Sequence, residues 1–136
     1  MSDEKTTSMS AYEKHIKKME NNGDYFVFSK YYVKILNSKL TALFLQDIID
    51  IADSPDVIKT SVDGKEYFQA TVKFLVNSKM EWKNREQKLH LGRLIKKGYV
   101  KTKKMGIPGK RYISINFEKL EKDLEIEILK EEVDRE

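Results

Sequence analysis

A chain of 136 residues with 40% hydrophobic and 35% charged side chains has room for one compact domain with polar tails. It contains no cysteine, which excludes a disulfide scaffold, a thiolate zinc site and a cysteine nucleophile. The net charge is +4, no run approaches the roughly 18 apolar residues of a membrane span, and the N-terminal MSDEKTTSMS has no apolar leader core, so the expectation is a cytoplasmic protein without a membrane partner.

Residues 1–23 are polar and read as a flexible N-terminal tail, in which a short helix starts at Ser10 with Tyr12, Ile16 and Met19 at helical spacing. The aromatic and β-branched residues 25–28 and 31–33 predict a strand. Ser38 is placed to cap a helix whose inner stripe is Leu40, Leu43, Phe44, Ile48 and Ile51, and Ser54-Pro55 ends it. Residues 57–68 predict a hairpin about Asp63-Gly64, because a two-residue turn needs positive φ at both central positions. Residues 69–79 predict a second helix with Val72, Leu75 and Val76 inward. Residues 83–97 predict a third, with Leu91, Leu94 and Ile95 inward and Gly98 as its left-handed stop. Residues 99–102 and 111–115 alternate as strands around the glycine/proline loop 105–109. Phe117, Leu120, Leu124 and Ile128 then mark an amphipathic C-terminal helix rich in Glu on its other side.

This order predicts an α+β fold of the winged helix-turn-helix type: a three-helix core with a β-hairpin wing over residues 24–117, between the tail and an acidic C-terminal helix over 118–136. Charge distribution agrees. Residues 79–111 carry 12 Lys/Arg against 2 Asp/Glu, a net of +10, whereas residues 112–136 carry 4 against 9, a net of −5. One block thus holds the positive excess expected of a polyanion-binding face. Asn84, Arg85, Gln87 and Lys88 cluster in the first turns of the third helix. Arginine suits guanine and an amide suits adenine, so these four are the candidate base readers. Lys83, Lys96, Lys97, Lys101, Lys103, Lys104, Lys110 and Arg111 are the candidate phosphate contacts of that helix and the wing.

Other residue types point away from chemistry. Trp82 reads as a packing residue at the start of the third helix. His15 falls in the tail and His90 on a DNA-facing or solvent side, so no nucleophile pairing is visible. Asp47, Asp50 and Asp53 read as the solvent side of the first core helix rather than a metal site. The loop at Gly106 lacks the spacing of a phosphate-binding glycine motif. No enzyme, metal or cofactor is expected.

Three stretches carry a resemblance: Tyr67-Phe68-Gln69-Ala70-Thr71; Asn84-Arg85-Glu86-Gln87 with Leu94 and Lys97-Gly98-Tyr99-Val100; and Gly106-Ile107-Pro108-Gly109-Lys110-Arg111-Tyr112 running into Ile115-Asn116-Phe117-Glu118-Lys119-Leu120. Together they resemble winged-helix proteins of bacteriophages and related mobile elements, many associated with replication initiation. The resemblance implies binding of double-stranded DNA in replication initiation or transcriptional regulation. Lys83 departs from that pattern, which usually has a capping Ser or Thr there, although Glu86 is present. The alternative is a protein-interaction adaptor built on the same fold, with a replication or transcription protein as partner. The Leu120, Leu124, Ile128 seam is open to packing on its own domain, to a homodimer through the C-terminal helix, or to a partner.

Overall fold

The computed structural model describes residues 10–22 and 29–135. These form six helices and one four-stranded antiparallel sheet, a mixed α+β architecture. Helix α1 (Ala11–Asn22) begins where Ser10 accepts a hydrogen bond from the Glu13 N–H at 3.1 Å, as the short helix read from Ser10 requires.

Helix α2 (Lys30–Leu36) replaces the strand expected over residues 31–33; residues 25–28 lie outside the described residues. The Ser29 hydroxyl accepts from the Tyr31 N–H at 3.1 Å, and Asn37 closes the helix in the left-handed region. One helical turn brings Leu36 into the core with Tyr32, Val33 and Ile35 against it, so tertiary burial overrides β propensity. Helix α3 (Lys39–Asp53) starts at the predicted cap, Ser38, which accepts from the Thr41 N–H at 3.2 Å. Its buried side is Thr41, Ala42, Phe44, Leu45, Asp47 and Ile48, whereas Leu40 is exposed. Ser54, before Pro55, is extended and ends it.

Strands β1 (Lys59–Val62) and β2 (Lys65–Gln69) form the predicted hairpin, with Asp63 and Gly64 at φ 53° and 77°. Helix α4 is only Val72–Val76, against an expected 69–79. The chain stays in the sheet through Ala70, whose N–H donates to the Arg111 carbonyl at 2.9 Å, and Thr71 caps the helix through Phe74 N–H. At the other end the Leu75 carbonyl is taken by the Ser78 hydroxyl and the Trp82 N–H. Leu75 alone is buried; Val72 and Val76, expected inward, are exposed because a helix of five residues turns little more than one side chain to the core.

Helix α5 (Asn84–Lys97) ends at Gly98, φ 83°, whose N–H and that of Tyr99 close on the Leu94 and Ile95 carbonyls. Strands β3 (Val100–Met105) and β4 (Lys110–Ile115) extend further toward the tip than expected. The sheet order is β1-β2-β4-β3, the two hairpins being joined by Phe68 opposite Ile113 and Gln69 opposite Tyr112. Phe68, Val100 and Ile113 on one sheet face meet Phe44, Leu45, Ile48, Leu91 and Leu94 from the helices in one core.

Helix α6 (Phe117–Arg135) lies against α2. Leu120 is buried and Leu124 packs on the core, so these two positions are filled by their own chain, while Phe117 and Ile128 stay 47% and 38% exposed. Glu131 bridges Lys30 at 2.8 Å and Lys34 at 3.3 Å. Hydrogen bonds from Lys30, then Tyr31, hold its carboxyl down to about 2. No helix among the described residues is long and apolar enough to cross a membrane.

Candidate nucleic-acid interface

The inner side of α5 is more polar than its leucines suggest. Gln87, expected to face outward, has 0% exposure. Its Nε2 donates to the Val72 carbonyl at 3.1 Å and the Trp82 carbonyl at 2.8 Å, and its Oε1 accepts from Arg111 Nη2 at 2.7 Å. Both amide protons and the oxygen are engaged within the fold, so Gln87 cannot read a base. Arg111 is likewise withdrawn from the phosphate role: its Nε donates to the Ala70 carbonyl at 2.7 Å, and burial pushes its pKa down. Together these bonds tie the β3–β4 hairpin, one residue short of its Met105–Lys110 end, to α4 and α5.

His90, expected on a DNA-facing or solvent side, is buried. Its Nδ1 lies 2.9 Å from the Thr41 hydroxyl, and its ring stacks at a tilt on Phe44, with centroids 5.5 Å apart. Burial, then the charge of Arg93, depresses its pKa. Trp82 packs as expected, edge-on to Phe44 at 5.0 Å and to His90 at 5.6 Å. Its indole N–H donates to Asp47 Oδ2 at 2.6 Å. Asp47, expected at the surface, is therefore a buried acceptor; burial raises its pKa while the Trp82 bond opposes the rise. Among the described residues no buried side-chain nitrogen or oxygen lacks a hydrogen-bond partner. The signals for three of these positions are in the sequence. Gln87, His90, Leu91 and Leu94 share one helical stripe, and Arg111 has the strand parity of Ile113 and Ile115. Ile95, by contrast, lies off that stripe and is 44% exposed rather than inward.

Opposite this stripe the helix turns Arg85, Lys88, Leu89, Gly92 and Lys96 to the surface, with Asn84 exposed in the first turn. The one acid of α5, Glu86, accepts from the Lys83 N–H at 2.9 Å, so Lys83 holds the cap position and the helix starts at Asn84. Lys83 has no side-chain oxygen to supply the other half of a capping box. Gly92 sits mid-helix with no positive φ, and a Cβ added there would meet nothing within 4 Å. Neither strain nor packing calls for glycine, which costs about 1 kcal/mol in a helix relative to alanine. What its absent side chain leaves is an open approach to the middle of the cationic face.

Arg93 stands at the edge of that face, its Nη1 donating to the Thr41 hydroxyl at 3.1 Å. With Lys96 and Lys97 it lines a cleft of about 640 Å³ against the α2–α3 turn. The hairpin lysines divide between two faces. Register pairs Lys104 with Arg111 on the face that carries Val100 and Ile113; Lys101, Lys103 and Lys110 lie on the other. All four are exposed. From Gln87 to Phe117 the chain has no Asp or Glu, so no acid of this stretch competes for these cations.

The acids gather instead on α6, where Asp123 accepts from the Tyr99 hydroxyl at 2.6 Å. Burial and that carboxylate push the Tyr99 phenol pKa well up. Lys119 lies over the Tyr99 ring and donates to the Lys97 carbonyl, so α6 is fastened to the end of α5. No family model, curated protein or solved structure matches this chain.

Proposed function

We propose that this chain binds double-stranded DNA as a winged helix-turn-helix, with α4 and α5 as the helix pair, α5 in the major groove and the β3–β4 hairpin as the wing. The observation that carries the reading is the outer side of α5: Arg85, Lys88 and Lys96 flank a glycine that the fold does not require, with no acid on that side. The helix has 14 residues, about 21 Å at the α-helical rise, and can lie along a groove about 12 Å wide. Asn84 and Arg85 carry the donor and acceptor sets that distinguish adenine and guanine, and Leu89 offers an apolar surface to a thymine methyl. Lys83, Lys96, Lys97 and the wing lysines neutralise phosphates. The setting that fits the resemblance is replication initiation or transcriptional regulation in a phage-like element.

Fluorescence anisotropy with a labelled duplex of about 30 base pairs tests this. About seven phosphate contacts give a slope of log K against log salt near −6. Arg85→Ala and Lys88→Ala should each weaken binding, a phosphate contact reducing the slope by about 1. Affinity that is equal at low and high salt refutes the reading.

A second reading, a protein-interaction adaptor, draws on α6. With Leu120 and Leu124 turned to the core, Ile126, Leu129 and Val133 form an exposed stripe at three- and four-residue spacing on the opposite side. A second copy on that stripe would make the solution mass of the full chain twice the monomer and sensitive to Leu129→Glu. A monomeric mass for both proteins removes the homodimer.

A further inference from the structure

The tip of the β3–β4 hairpin differs from its sides. Lysines occupy both faces of the ribbon, Lys104 on one and Lys101, Lys103 and Lys110 on the other. The apex is uncharged, Gly106-Ile107-Pro108-Gly109, and Ile107 is fully exposed at 104%. Arg111 bonds to Ala70 and Gln87, and beyond it the apex stands about two residues, roughly 7 Å, clear of the sheet. Single apolar side chains on a surface are ordinary; the position of this one is not. A ribbon lying along a phosphate backbone needs cations on one face only, and gains nothing from an isoleucine at its end. A ribbon whose tip enters a groove meets phosphates on both sides and base edges ahead. Lysines on both faces and an apolar apex match that second geometry.

We propose that the hairpin tip is a minor-groove wedge: Ile107, backed by Pro108, presses into a base step and partly unstacks it, so that binding kinks the duplex. The inference rests on the duplex-binding reading and adds a consequence that reading lacks, a bend in the DNA. Apolar wedges of this kind kink duplexes by about 20–90° toward the major groove, and the bend brings more backbone against the protein. An anionic bilayer would also accept an apolar tip with flanking lysines. One isoleucine is a small anchor, however, since burying it strengthens attachment only about 10- to 150-fold, and DNA is the partner the geometry favours.

The test is resonance energy transfer between dyes at the two ends of a duplex of about 30 base pairs, saturated with full-length protein. The wild type should raise transfer as a bend requires. Ile107→Ser should keep the circular dichroism and melting temperature of the wild type, because the side chain touches little of its own fold. It should bind within about tenfold of the wild type yet leave transfer near that of free duplex, and Ile107→Leu should restore the bend. Wild-type binding without a change in transfer, or an equal bend from Ile107→Ser, overturns the wedge while leaving duplex binding intact. Failure of the wild type to bind duplex at all overturns the underlying reading and the wedge with it. Retention on phosphatidylserine vesicles that depends on Ile107, without a bend in DNA, overturns the wedge in favour of a lipid surface.

Discussion

Replacing Gln87 with methionine keeps the length and volume of the side chain and removes its three hydrogen bonds. Two are neutral amide–carbonyl bonds, to Val72 and Trp82, worth about 1 kcal/mol each; the third receives a guanidinium proton from Arg111 and is worth about 1.5–3 kcal/mol. No cavity is created, so the expected loss is about 3.5–5 kcal/mol, nearer the lower figure because Arg111 is only half-buried and water can reach part of its fork. Against a typical domain stability of about 5–15 kcal/mol this is a large fraction. Urea unfolding followed by the fluorescence of Trp82, the single tryptophan and a hydrogen-bond neighbour of Gln87, measures it directly. Lys88→Met, one residue along on the exposed side, should change stability by less than about 0.5 kcal/mol. A Gln87→Met variant within 0.5 kcal/mol of wild type would refute the assignment of Gln87 to the interior and return it to the list of base readers.

Gly92→Ala should act in opposite directions on two observables, raising stability by about 1 kcal/mol through helix propensity and weakening duplex binding by placing a methyl where the backbone now stands open. An alanine variant that binds as tightly as wild type would remove the case for close approach at this point. For His90 the folded-state pKa is depressed, so its contribution to stability is complete above the unfolded value near 6.5 and declines as pH falls below it, by up to about 1.4 kcal/mol per pH unit until the folded pKa is reached. Thermal melts across that interval should show a steeper acid limb for wild type than for His90→Gln; superimposable limbs would refute the buried neutral imidazole.

Much of the architecture was legible because short-range physics is written in short spacings. Ser38 before a three-and-four apolar pattern, Asp63-Gly64 between alternating strands, and Gly98 after Leu94 each specify a local geometry that no distant contact has to supply. Residues 31–33 show the limit of such reading: a run of high β propensity became helical because Leu36 and its neighbours had a core to fill. The shortening of α4 has the same origin, since the carbonyl of Leu75 found partners in Ser78 and Trp82 that no propensity anticipates. For the candidate interface, exposure of Asn84, Arg85, Lys88, Lys96 and the hairpin lysines was as expected. Gln87 and Arg111 were not, because polarity suggested the surface while position on the stripe and strand demanded the interior.

By itself, then, the order of residues determined where α3 and α5 begin and stop, where the two turns fall, and that the positive charge concentrates in one block between Lys79 and Arg111. Only the tertiary structure decided which polar groups that block spends on its own fold. A polar side chain goes inside when every one of its donors and acceptors can be satisfied there, and that condition depends on atoms brought from Val72, Trp82, Ala70 and Thr41 across the chain rather than on any property of Gln87, Arg111 or His90 alone.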